Sequence, residues 1–210
     1  MAAFTFMPAF SHQDVLAIVV AASFASGLNV YATVATLGLL SHAGAFHLPP
    51  ALHLIDTWPV IIISGALFAL EFFADKIPLF DLVWNALHTF VRVPIAALLS
   101  YGAAQHLSPP AQLAAAGLGG LIALAAHGGK TAVRAAVTPS PEPFSNMALS
   151  FGEDVAAVSL TWFASKHPVI AAVLVALAII VIAFSIRFVI RALRRLLHRA
   201  RGALAGTQAT

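Results

Sequence analysis

The chain contains no cysteine and little charge: Asp, Glu, Lys and Arg make up 9% of its 210 residues. The first absence excludes disulfides, thiolate metal sites and cysteine nucleophiles. The second excludes an ordinary soluble domain, which carries roughly 25% charged residues. Histidine is present, and His88, His127 and the carboxylates offer a metal site as a third reading of the polar groups, but no HExxH or related ligand spacing supports it, so no metal and no cofactor are assigned. The first thirteen residues, MAAFTFMPAFSHQ, hold no Lys or Arg. They lack the basic start of a secretory signal, so the first apolar run is expected to stay in the protein. What fills the chain is apolar: 60% of residues are hydrophobic and the mean hydropathy is +0.93. That composition points to a membrane protein.

Six apolar runs follow one another, at about Val15–Leu40, Trp58–Ala74, Leu79–Ala104, Ala111–Val137, Met147–Ala164 and Val169–Ile186. A bilayer-spanning helix needs about 20 such residues, and backbone in lipid must satisfy its hydrogen bonds within the segment. The expected fold class is therefore all-α, a polytopic membrane bundle of six transmembrane helices. It divides into an N-terminal segment (1–13), a transmembrane domain (14–186) and a basic tail (187–210). Six of the eleven Lys and Arg lie between Arg187 and Arg201. Basic residues favour the cytoplasmic side, so the tail is read as cytoplasmic, and six crossings put the N-terminus there too. The expected location is the bacterial inner membrane. The last residues, from Gly202, read as disordered.

Short stretches recur. ALEFFAD (69–75) and ALSFGED (148–154) agree at four of seven positions, and ASGLN (25–29) resembles AAGLG (115–119). Two readings stay open. One is an inverted repeat of two three-helix units, 14–105 and 111–186, as in many transporters. The other is the recurrence of small residues common in membrane helices.

The few polar groups are patterned. Asp81, Asn85, His88 and Arg92 share one face of the third helix at i, i+4, i+7 and i+11. Glu71, Asp75 and Lys76 close the second helix; His127, Lys130 and Arg134 line the end of the fourth; Glu153 and Asp154 lie within the fifth. A charge at the bilayer centre costs about 2.5–3.5 kcal/mol on the mildest scale. These groups must therefore meet each other, water or headgroups. One reading gathers them in a polar cavity that binds a small ion or solute. Another makes them helix-end locks and snorkelling residues. Ser26, Gly27 and Asn29 mark either a helix break, whose half-helix ends would face a ligand, or close helix packing through Gly27.

The stretches SGLNVYATVATLGLL, EFFADKIPLFDLVWNALHTFVRVPIAALL, AHGGKTAVRAAV and NMALSFGEDVAA together resemble the integral membrane family known as domain of unknown function 4126. The similarity covers roughly residues 14–185. It implies a bacterial polytopic membrane protein and suggests that these motif residues form one site. In that family a glycine- or asparagine-rich loop precedes the fifth helix; here TPSPEPFSN stands in its place.

Three functions fit. The first is a transporter or channel for a small ion or polar solute. The second is a non-transporting scaffold of a membrane complex. The third is a membrane enzyme acting on lipid headgroups, ranked last because no nucleophile motif is present. The partners read from the sequence are the bilayer, anionic lipid at the Arg-rich tail, a small ion or solute, and further copies of the chain as a homo-oligomer. Nucleic acid is not among them.

Overall fold

Proline opens four of the six α-helices, at a position where its missing N–H costs nothing and its fixed φ suits the first turn. A computed structural model describes residues 12–74, 78–137 and 143–207, and every regular element among them is helical. The order is α1 (His12–His42), a 3₁₀ helix (Pro50–Asp56), α2 (Trp58–Ala74), α3 (Pro78–Ala103), α4 (Pro109–Val137), α5 (Pro143–Lys166) and α6 (Pro168–Thr207). The fold is all-α.

Helix α1 sits at the centre and touches every other helix. It is broken at Asn29, whose φ of −151° and ψ of 104° are extended rather than helical. The break reverses the chain. Val15 and Ile18 from the first arm line the same cavity as Leu37 from the second, together with Phe46, Leu48 and Leu99. In a straight helix the 22 residues from Val15 to Leu37 would span about 33 Å. The neighbours agree. Descending the first arm, Ser23 meets Ser100, Gly27 packs on Ala123, and Leu28 meets Lys130. Returning along α3, Tyr31 meets His88, and Leu37 packs with Leu99. Helix α1 is thus a re-entrant helical hairpin with its tip at Asn29.

Among the described residues, fewer segments than the six expected are long and apolar enough to cross a membrane. By length and composition three segments can cross a membrane: Val15–His42, Pro109–Arg134 and Pro168–Phe188; the Pro50–Asp56 and Trp58–Ala74 pair, bent by 62°, makes a fourth. Of these, α1 folds back on itself at Asn29. Its apolar window is 72% buried inside the protein, against 11% for that of α6. Both ends of α1 lie at the end of the bundle that holds the 43–57 loop. There Lys166 donates to the Ala45 carbonyl, and Ala21 packs with Ala164 and Ala171. Helix α6 starts at this end and runs away from it, with Ile182 against Gly129. The start of α1 and the end of α6 therefore lie at opposite ends of the bundle.

Two boundaries also differ. Helix α5 begins at Pro143 rather than Met147, because proline starts a helix as readily as it ends one. Helix α6 continues to Thr207, through the segment from Gly202 expected to be disordered. Arg, Ala and Leu are strong helix formers, so the helix outlasts its apolar stretch. The packing is not symmetric between the two halves: α5 lies along α1, yet among the described residues α2 and α4 do not meet.

Candidate functional site

The tip of α1 is satisfied by side chains. Asn29 Oδ1 accepts the Ala32 N–H at 2.9 Å, which makes Asn29 the N-cap of the second arm. Its Nδ2 donates to Asp154 Oδ1 at 2.8 Å. Thr33 Oγ1 donates to the Asn29 carbonyl at 2.9 Å. At the end of the first arm, the Leu28 carbonyl accepts from Lys130 Nζ at 3.3 Å. An anion therefore stands beside the N-terminal end of one half-helix and a cation at the carbonyl end of the other. Both placements suit the helix dipole. Gly27 makes the close approach possible: a Cβ there would lie 2.4 Å from the Ala123 carbonyl oxygen. Break and close packing are both present, two residues apart.

A second network surrounds Arg92 of α3, which is fully buried. Its Nη2 donates to Oε1 of Glu71 on α2, also fully buried. Its Nη1 reaches Asn85 Oδ1 at 3.3 Å and His127 Nδ1 on α4 at 2.8 Å. Since the guanidinium only donates, His127 Nδ1 carries no proton. Its Nε2 then donates to Thr89 Oγ1 at 2.8 Å, and Thr89 donates to the Asn85 carbonyl at 3.3 Å. His88 is fixed in the other tautomer. Its Nδ1 donates to the Trp84 carbonyl at 2.7 Å, so Nε2 accepts the Tyr31 hydroxyl at 3.0 Å. Hydrogen bonds of this kind, in an apolar interior, set both ring orientation and proton position.

Glu153 of α5 joins two bases of α4. Its Oε2 lies 3.0 Å from Lys130 Nζ and 2.8 Å from Arg134 Nη2. The structure thus brings Glu71, Asn85, His88, Arg92, His127, Lys130, Arg134, Glu153, Asp154 and Asn29 into the interior formed by α1 to α5. Ser26 is fully buried in the last turn of the first arm. Asp75 and Lys76 lie outside the described residues, as does the side chain of Asp81. Two hollows are lined by apolar and small residues and by no ionisable group. One, of about 30 Å³, separates the arms of α1 from Leu99 and Phe46; the other lies between α4 and α6. No group of three or more His, Cys, Asp and Glu able to hold a metal occurs among the described residues.

The sequence reading passed over Tyr31 and Thr89. Thr89 was within its reach, being four residues after Asn85 and three before Arg92, on the same face. Tyr31 follows Asn29 by two, and nothing in spacing alone links it to His88 across the bundle.

Residues 16–188 match the model of the family described as domain of unknown function (DUF4126). The chain belongs to that family. No curated protein and no solved structure matches it. The family covers all of the residues just described, so the site lies wholly within the part it shares. The chain also has the long apolar helices of an integral membrane protein.

Proposed function

We propose that the protein is a small inner-membrane transporter or channel, moving an ion or small polar solute past the tip of α1. One observation carries this reading: a re-entrant helical hairpin ends at Asn29 among buried acids and bases. Broken backbone at membrane depth is tolerated only inside protein or beside a water-filled path. Half-helix ends of this kind coordinate ions and substrates in known transporters. Ionisable groups inside a membrane bundle likewise mark ion pathways and proton relays. In this reading Asp154 and Lys130 hold the two half-helix ends, while Glu71, Arg92 and His127 fix α2, α3 and α4 around them. The basic end of α6 is cytoplasmic by its arginines and rests on anionic headgroups.

The test is flux through liposomes that hold the full chain. Asp154→Asn should abolish uptake while leaving the protein helical and monodisperse; undiminished flux in that variant overturns the proposal. A scaffold role has its own supporting observation: Glu71 and Arg92 are wholly enclosed, and neither hollow reaches them. That reading expects no flux from the unmodified protein, and co-purification of a stoichiometric partner.

A further inference from the structure

We infer that the groove between α4 and α6 holds one acyl chain of an anionic phospholipid, and that Arg187 and Arg194 take its phosphate where the groove ends. The inference needs only the membrane character of the chain and is independent of the transport reading.

The groove has a volume of about 300 Å³. Leu121, Leu124 and Gly128 line one wall, and Ile179, Ala183 and Ile186 the other. Ile182, packed on Gly129, holds the two walls together. Both walls belong to segments able to cross a membrane, Pro109–Arg134 and Pro168–Phe188. From Leu121 to Gly128 the wall runs for about 10 Å at the rise of an α-helix. That is about a third of the hydrocarbon thickness of a bilayer, a length that one acyl chain spans. Of the three long apolar windows, that of α6 is the least buried, at 11%, so lipid supplies most of its packing.

Charge at one end of the groove decides the headgroup. Arg187 and Arg194 follow Ala183 by four and eleven residues, so they share its face of α6. Both are exposed. Neither α4 nor α6 contains an Asp or Glu, so no carboxylate on either wall competes for the two guanidiniums. On α5, Glu153 is already paired with Lys130 and Arg134. A guanidinium meets a phosphate through two parallel N–H donors. A chain lying in the groove puts its headgroup where the apolar stretch stops and Arg187 begins the basic one. A second copy of the protein is a poorer occupant. In the same membrane orientation it would set its own six arginines, from Arg187 to Arg201, beside these, and like charges repel.

The experiment is native mass spectrometry of the full chain, released from micelles to which phosphatidylglycerol or phosphatidylcholine of the same acyl composition has been added. One phosphatidylglycerol should stay bound in preference to phosphatidylcholine. Arg187→Gln with Arg194→Gln should lower that preference by about 30-fold, the product of two basic contacts at a headgroup. A Cβ at Gly128 meets nothing within 4 Å, so Gly128→Leu fills the groove without strain. It should lower retention of both lipids, whereas Gly65→Leu, equally open on α2, should not. Ala183→Leu, at an exposed position, fills the groove from the other wall, so a folding defect in one variant leaves the other as the test. Retention that ignores both groove variants, as for a headgroup held by the arginine tail alone, overturns the inference. So does a phosphatidylglycerol preference that survives loss of Arg187 and Arg194. A disulfide joining two copies through Ala183→Cys in oxidised membranes also overturns it, because the groove is then an interface between copies.

Discussion

Replacing Asn29 should unfasten the corner of α1, and the size of the effect can be worked out bond by bond. Asn29→Ala removes two interactions. The first is the cap on Ala32 N–H, worth about 0.5–2 kcal/mol. The second is the bond to the Asp154 carboxylate, where hydrogen bonds to charged groups contribute about 1.5–3 kcal/mol. The sum is about 2–5 kcal/mol. Asn29→Ser keeps a capping oxygen and loses only the donor to Asp154, so it should cost about 1.5–3 kcal/mol. The assay is reversible unfolding in mixed micelles, with Asp154→Ala completing a double-mutant cycle against Asn29→Ser. A coupling energy near the cost of Asn29→Ser is expected. If Asn29→Ala lies within about 0.5 kcal/mol of the unmodified protein, the range of an unremarkable surface change, Asn29 does not hold the corner and the reasoning fails.

Glu71→Leu leaves the Arg92 guanidinium buried without its carboxylate, a loss of about 3–5 kcal/mol by the same unfolding assay. Glu71→Leu with Arg92→Met should recover part of that loss, because a matched apolar pair needs no ionic partner. Gly27→Ala drives a methyl into the Ala123 carbonyl and should cost about 1–3 kcal/mol, while Gly117→Ala, with open space around it, should be near neutral. Replacing the exposed Arg191, Arg194 and Arg195 together by Ala should weaken retention of phosphatidylglycerol over phosphatidylcholine by about 3 kcal/mol, read by mass spectrometry of co-purified lipid.

Helix existence and most helix ends were legible in the sequence because apolar run length and proline punctuation encode them directly. Helix α2 runs from Trp58 to Ala74 as read, and α4 gains only Pro109 and Pro110. The direction of α1 was not legible. A re-entrant hairpin of small and apolar residues has the same length and hydropathy as a span, and only the extended backbone of one residue, Asn29, separates them. The ASGLN stretch marked the spot but not the angle. Among the described residues, Glu71 pairs with Arg92, Glu153 with Lys130 and Arg134, and Asp154 with Asn29, in keeping with the cost of leaving such groups in lipid. Spacing reports a face and not a depth, however. It could not tell a water-lined chamber from the close ion pairs of Glu71 with Arg92 and of Glu153 with Lys130 and Arg134. The contacts of Tyr31 and of the Leu28 carbonyl depend on that hairpin and were hidden with it.

The reversal of α1 can be tested most directly because the chain has no cysteine of its own. Single cysteines at Gln13, Gly44 and Gly206 would be labelled by a membrane-impermeant maleimide in sealed, uniformly oriented vesicles. With both ends of α1 at one end of the bundle, positions 13 and 44 react from the same side and position 206 from the other. Labelling of position 13 together with 206, and of 44 from the opposite side, would mean that α1 crosses the membrane and that the hairpin is wrong.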